Sequence, residues 1–411
     1  MFPAADWGRR IARRPWPIVG FWMVCWLLAW PASRLTPAVL HGGGRPIAGS
    51  PSAALDAILE RDFAGASFLH PVLVVFSEPR LTVHDPAYAR AVQQVQAHLP
   101  ELAPVESTRS FLQGEADKLT SDDGHITVLL VGMRGSNPDE AEAAIPALRQ
   151  ALAALRPSLG LPDLTTLVTS DTAVDEDIDT LSAQDSARAE RRTLPFVLVC
   201  LLAAFGALGA ATLPLLVGLL SVTVTGAVVF LVGHVLSLTI LIQNTASMIG
   251  LGTSIDYALV MVSRFREERS AGHAVGDAVG TTVATAGRAV VGSGAMVVVG
   301  MVSLLFSPLQ DIRSMALGCI LVVTVGVTVS LSLLPAVLSL LGDRVGRARP
   351  SSPDDGWMRW AERLVAHPGA ALTVGLGLVG LVSWPAWHLR TDLMEGTWMP
   401  PQAESRQGYD A

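Results

Sequence analysis

The chain has 411 residues, half of them apolar and only 16% charged, with a mean hydropathy of +0.45. Soluble domains carry about 25% charged residues, and the deficit here is concentrated. From Leu194 to Ser263 the chain contains a single formal charge, Asp256. Such a run excludes an ordinary soluble globule, and its hydrophobicity excludes disorder; what remains is a polytopic α-helical membrane protein.

The net charge of −7 joins two unlike regions. Residues 39–192 hold 22 acidic and 12 basic groups, so this block carries −10, and the 17 basic and 14 acidic groups elsewhere give +3. Cys25, Cys200 and Cys319 all lie in apolar runs. They form no disulfide framework and no C-x-x-C pair, and read as small apolar side chains.

In chain order, Arg9, Arg10, Arg13 and Arg14 lead into a first apolar segment at 16–35. Further segments follow at 194–211, 213–233, 238–263, 289–306, 314–341 and 369–388. Each approaches the ~20 helical residues that cross ~30 Å of hydrocarbon. Gly206, Gly209 and Pro214 place a tight hairpin between the second and third.

Between the first and second segments lies the acidic block. His70–Phe76 predicts a strand, and Asp85-Pro86 predicts a capped helix to about His98. Strands follow at Val105–Arg109 and Ile126–Met133. Ser136-Asn137-Pro138 starts a helix to about Leu155, and Thr165–Thr169 is a last strand. The order βαββαβ is the ferredoxin-like α+β pattern. Asp171–Arg192 is a polar helical stretch that runs on into the second segment.

Arginine placement sets the topology. Arg264, Arg266, Arg269 and Arg288 lie between the fourth and fifth segments, and Arg344, Arg347, Arg349, Arg359 and Arg363 follow the sixth. The opposite loops, 234–237 and 307–313, hold only Arg313. The N-terminus is then cytoplasmic, and block 39–192 is extracytoplasmic. The first segment also fits a cleaved signal peptide, a reading that an internal repeat opposes. Trp7, Arg10 and Pro15 recur at the same spacing as Trp360, Arg363 and Pro368, and in the same register Pro46–Ser52 overlies Met399–Ser405. Parallel repeats of this kind recur in transporters.

The resulting division has the N-terminus and first helix at 1–38, an outer α+β domain at 39–192 and a five-helix bundle at 193–342. A linker at 343–368, a seventh helix at 369–388 and the start of a second outer domain at 389–411 complete it.

Asp256 sits at membrane depth, about eight residues or ~12 Å from the end marked by Arg264. An ionised carboxylate there costs about 2.5–3.5 kcal/mol on insertion scales. A residue that costly is paired, protonated or used, and the structural alternative is a polar side chain satisfied by a neighbour. Tyr257 follows about 100° around the helix. Gly250, Ser254 and Ala258 make a row of small residues that admits a neighbouring helix. Gly252 and Thr253 leave space on the Asp256 face, and Ser293, between Gly292 and Gly294, is a candidate neighbour.

Other motifs fail. Gly42–Gly44 lacks the Lys-Ser/Thr of a phosphate loop, and GLG at 250–252 lacks the strand–turn–helix context of a nucleotide site. His234 reads as a membrane-surface residue. No HExxH, other metal spacing or GxSxG nucleophile motif occurs, so no metal, catalytic residue or cofactor is expected.

GLGTSIDYALVMVSRFREE at 250–268 resembles the signature of MmpL-type transporters of the resistance-nodulation-division (RND) superfamily, common in actinobacteria. DSARAERRTLPF at 185–196, TAGRAVVGSG at 285–294, DIRSMALG at 311–318 and LLPAVLSLLG at 333–342 extend the resemblance. It implies a six-helix RND half-unit plus a seventh helix, with one ferredoxin-like porter domain. It also implies a secondary active transporter, not an enzyme, that exports lipids or other hydrophobic compounds across the cell membrane on the proton gradient, without nucleic acid. The family's relay pair maps onto Asp256 and Tyr257, with the serine matched by Ser293 close by.

Full-length members carry a second half with its own Asp-Tyr pair. This sequence contains one such pair, so a second transporter half or a homo-oligomer is an expected partner. Two further readings stand beside export: an accessory, scaffold or inactive remnant membrane protein, and a SecDF-type translocation auxiliary of the same fold.

Overall fold

The computed structural model describes residues 4–41, 49–51, 54, 55, 58, 71–114, 116–133, 138–345, 356–388 and 399–411. The glycine run 42–44, most of the first repeat copy at 46–52, His70 and the Ser136-Asn137 cap lie outside them.

The membrane part is all helix. A short helix α1, Ala4–Arg13, precedes α2, Pro15–Arg34, which has proline in its first turn, where the missing N–H costs nothing. Among the described residues six helices are long and apolar enough to cross a membrane: Pro15–Arg34, Leu208–Gly233, Leu241–Ser270, Val275–Leu304, a helical run Gln310–Val345, and Pro368–His388. The expected segment at 194–211 is not one of them. Its larger part, 194–205, ends the long helix Asp171–Phe205, and 208–211 already begins the next.

Glycine explains the break. Gly206 takes the left-handed conformation at φ +64 and its N–H bonds the Leu202 carbonyl, a closure that a Cβ opposes. Arg266 then donates to the Phe205 carbonyl at 3.0 Å, with its guanidinium 5.3 Å from the Phe205 ring centroid. A cation at this C-terminus matches the helix dipole.

Helix ends also differ from the apolar runs. The fifth helix starts at Val275, well before the apolar stretch that opens at 289. The fourth continues to Ser270, so Arg264, Arg266, Arg269 and Arg288 sit on helices, not in a loop. An apolar run records hydrocarbon thickness, whereas the helix continues until its backbone is capped.

The extramembrane sheet is built from β2, Val72–Ser77; β3, Val105–Arg109; β4, Ile126–Met133; and β5, Thr165–Thr169. A two-residue β1, Leu40–His41, instead pairs in parallel with β6, Leu238–Thr239. The four-stranded order is β3-β4-β2-β5, every neighbour antiparallel. Val72, Val74 and Phe76 alternate inward, each fully buried, as a period of two requires. Helices α3, Pro86–Leu102, and α5, Pro138–Leu155, supply the rest of this core; a one-turn helix α4 covers Ala116–Leu119. Asp85 precedes α3 but does not cap it; its carboxylate accepts from the Thr82 N–H at 2.7 Å.

The long helix Asp171–Phe205, α6, carries the chain from this sheet into the bundle of α7, Leu208–Gly233; α8, Leu241–Ser270; α9, Val275–Leu304; and α10, Gln310–Leu341. Helix α8 packs on both α7 and α10. Helices α11, Gly356–Ala366, and α12, Pro368–Ser383, follow, and α12 buries none of its residues. A final helix α13, Glu404–Asp410, lies on β5. There Thr169 donates its hydroxyl to the Ser405 carbonyl at 2.8 Å, and the Val168 N–H donates to Glu404 at 2.9 Å.

Candidate functional site

The candidate site lies on α8 in the middle of the bundle. The small row of this helix packs inward. Gly250 meets the Val322 side chain of α10 so closely that a Cβ would overlap it. One turn on, the Ser254 hydroxyl is 2.5 Å from where a Cβ on Gly326 would sit. Ala258 is fully buried. Van der Waals contact between small residues is what holds helices together where lipid offers no hydrophobic drive.

Asp256 and Tyr257 point to different places. Tyr257 is 8% exposed and lies inside the bundle core. Its hydroxyl oxygen is 3.6 Å from where a Cβ on Gly294 would stand, an ordinary contact distance, whereas the Val327 side chain comes within 2.6 Å of that position. Asp256 is on the exposed side of α8, and among the described residues its carboxylate has no hydrogen-bond or ion-pair partner. The step of about 100° between consecutive residues puts one inside and the other out.

The remaining predicted residues divide likewise. Gly252 is exposed, with open space beyond its Cα. Thr253 turns its hydroxyl to the Ile249 carbonyl at 2.8 Å, and half-buried Ser293 donates to the Val290 carbonyl at 3.1 Å. No hydrogen bond links Asp256, Tyr257 and Ser293 among the described residues. Tyr257 approaches the Ser293 turn through Gly294.

Three polar residues escaped the sequence reading. Ser221 and Thr225 on α7 and Ser330 on α10 are fully buried, as is Ser254. The Ser221 hydroxyl bonds the Val217 carbonyl at 2.7 Å, whereas those of Thr225, Ser254 and Ser330 have no partner among the described residues. The signal was present as small and hydroxyl-bearing residues one helical turn apart on one face, Ser221 with Thr225, and Gly326 with Ser330.

A second electrostatic feature lies outside the membrane on α6. Asp175 is pushed up to about 6, first by burial and then by Asp171 and Asp311. Asp179 also rises to about 6, through burial and the nearby charges of Asp175 and Glu176, against a hydrogen bond with Glu142. Asp177 goes the other way. Burial would raise it, but hydrogen bonds from Arg149 and Ser405 outweigh that and hold it below its ordinary value. Among the described residues no three His, Cys, Asp or Glu side chains are placed to hold a metal ion.

The profile of the MMPL family matches residues 46–371. A membrane protein of Streptomyces coelicolor is 34% identical over 80% of this chain and 46% of its own length. The mycolic acid-containing lipids exporter MmpL11 of Mycolicibacterium smegmatis is 34% identical over 55% of this chain and 25% of its own. The trehalose monomycolate exporter MmpL3 of the same organism is 38% identical over 39% and 16%. The chain therefore spans less than half the length of these relatives.

Proposed function

The chain belongs to the MMPL family, and from that premise we propose that it works in the proton-driven export of lipids or other hydrophobic compounds. It is a multi-pass membrane protein, and relatives in the family are lipid exporters. We assign the proton relay to Asp256 and Tyr257, with Ser293 beside it and Gly250, Gly252, Thr253 and Ser254 shaping the helix around it.

The observation that carries this reading is the exposed carboxylate of Asp256, without a partner among the described residues, on a helix long and apolar enough to cross a membrane and one residue from a buried phenol. An ionised group in that position is costly, so it is covered by further protein or it takes up a proton. Proton uptake removes the charge and lets the α8 face close on an apolar neighbour. Proton release restores the charge and reopens it. Tyr257 offers a hydroxyl that both donates and accepts, and a bridging water or a change of rotamer carries the proton to it from Asp256, since the two side chains share no hydrogen bond among the described residues. A second transporter half or a second copy is the partner expected over this face.

The rest of the assignment follows the same reading. The four-stranded domain is the ferredoxin-like porter domain, extracytoplasmic and spanning 39–192. The bundle occupies 193–342, the N-terminus faces the cytoplasm, and 389–411 opens a second porter domain. Helix α6 couples the two levels, because it runs unbroken from the sheet into the bundle.

The test is Asp256→Asn in a cell that depends on this gene for export. Export is expected to fall to background while the protein level in the membrane is unchanged. Undiminished export would remove Asp256 from the relay.

A further inference from the structure

The short helix α1 and the first half of α9 enclose a cleft of about 400 Å³. Ala4 and Trp7 of α1 form one wall, and Val283, Gly287, Val291 and Gly292 of α9, with Leu331 of α10, form the other. Arg288 of α9 is the one charged residue of the lining.

Helix α1 reaches this place because two glycines let the backbones touch. A Cβ on Gly8 would stand 2.9 Å from the Gly280 Cα, and one on Gly280 would stand 2.9 Å from the Ala5 carbonyl oxygen. Ile11, one turn on, is buried with Gly8. The two helices run antiparallel: Arg9 bonds Asp277 at the start of α9, while Ala4 lies beside residues further along it. The start of α9 is at the Phe205 end of α6, since Arg266 near the end of α8 bonds the Phe205 carbonyl. The cleft is therefore far from the sheet domain, on the rim that the arginines assign to the cytoplasm.

This rim holds more positive charge than its carboxylates balance. Asp6 and Asp277 both turn to Arg9, at 3.3 and 3.2 Å. The guanidinium groups of Arg10, Arg13, Arg14 and Arg288 are exposed and have no partner among the described residues. Trp7 and Arg10, three apart, share the outer face of α1. Trp7 and Trp16 are both exposed, and indoles settle at the level of lipid head groups. Unpaired arginines beside an apolar cleft between membrane helices match a phosphate that carries acyl chains. At ~30 Å³ per water-sized group the cleft takes on the order of a dozen groups, enough for a glycerol phosphate and the first carbons of its chains.

We propose that an anionic phospholipid of the inner leaflet binds here, its phosphate on Arg288 and its upper chain carbons along Val291 and Leu331. Arg10, Arg13 and Arg14 draw the head group in, and Trp7 covers it. The lipid is a resident of the rim and not cargo, because the site lies at the opposite end of α6 from the sheet domain. Its occupancy holds α1 against α9. A soluble polyanion would satisfy the arginines but leave the cleft and both indoles unmatched. The site stands whether or not the chain exports anything; only its leaflet rests on the cytoplasmic N-terminus.

The test uses the full chain in phosphatidylcholine vesicles containing a trace of phosphatidylglycerol with a diazirine high on one chain. Photolabel is expected to concentrate in peptides 4–14 and 283–292 and to be displaced by plain phosphatidylglycerol. Arg10→Gln with Arg288→Gln should weaken binding about fivefold for each arginine, on the order of twentyfold together. Arg10→Lys with Arg288→Lys keeps the charges that orient the chain and should retain most of the label. Arg288→Gln alone serves should the double variant not accumulate. Gly8→Leu keeps every arginine but separates α1 from α9, and should abolish the label at 283–292. Equal labelling by the phosphatidylcholine analogue, or displacement by free glycerol 3-phosphate as effective as that by the lipid, would overturn the proposal. So would undiminished label in the glutamine variants or in Gly8→Leu.

Discussion

Gly250 and Gly252 look alike in the sequence, and one turn of helix could have exposed either. The structure separates them: Gly250 abuts Val322, and Gly252 faces open space. Helix propensity alone favours alanine over glycine by about 1 kcal/mol. Gly252→Ala should therefore be neutral or slightly stabilising. Gly250→Ala should lower stability, because overpacking a tight helix contact costs about 1–3 kcal/mol and exceeds that gain. Thermal unfolding of both variants in the same detergent checks this; equal midpoints would refute the close α8–α10 contact. The row Gly250, Ser254 and Ala258 marked Gly250 as a helix contact in the sequence, with Gly252 beside Asp256 instead; beyond that row the sequence carries no direction, for a physical reason. Helix α8 is apolar on its lipid side and on its core side, so hydrophobicity carries no direction around the helix. For the same reason the outward position of Asp256 and the inward position of Tyr257 were not legible, although both residues stood out by type.

The extramembrane half of α6 holds its carboxylates in opposite states. Asp175 and Asp179 have values of about 6, above the ordinary 3.8, so the folded segment binds protons more tightly than the unfolded one. Their contribution is fully present below the unfolded value and is lost as pH rises through about 6. Asp177 is held low, so its contribution is present above the unfolded value and lost only as pH falls further. Between about pH 5 and 7 Asp175 and Asp179 change, whereas Asp177 does not, and the pair faces Asp171, Glu142, Glu176 and Asp311. Amide exchange over 171–182, corrected for its intrinsic pH dependence, should be faster at about pH 7.5 than at about pH 5. The same rate at both would refute the loosening. In the sequence this stretch is a polar helix and nothing more, because proximity to Asp311, on another helix far along the chain, is set by tertiary packing. The continuity of α6 was legible from the same residues. The hairpin after it was legible from Gly206, Gly209 and Pro214, but its exact end at Phe205 was not, because the apolar run continues past Gly206 without a polar break.

At the scale of the whole molecule, the segment 399–411 returns to the first sheet domain. The internal repeat marked its start, Met399–Ser405, as the counterpart of Pro46–Ser52, but repetition gives kinship, not contact. Contact comes from the Val168 and Thr169 hydrogen bonds to Glu404 and Ser405 and from one arginine. Arg149 on α5 lies 2.7 Å from Glu176 and 2.8 Å from Asp177 on α6, and 3.1 Å from Glu404 on α13. Asp177 in turn accepts from the Ser405 N–H at 3.1 Å. Three helices from distant parts of the chain thus share one cation, 18% exposed, while Asp177 is 11% exposed. Removing one member of a buried charge group leaves its partners uncompensated, at a cost of about 3–5 kcal/mol; Glu404 at 34% exposure is relieved by water and contributes least. Arg149→Ala should therefore free residues 404–410, raising their amide exchange toward the unprotected rate, while helices α7 to α10 keep theirs. Arg149→Lys keeps the charge but not the fork that reaches two carboxylates, and should fall between. Unchanged protection at 404–410 in the alanine variant would mean that Gly408 packing on Thr169 holds the segment without the charges. Release of the segment would also loosen Met399-Pro400, which lies over the groove between α6 and α8.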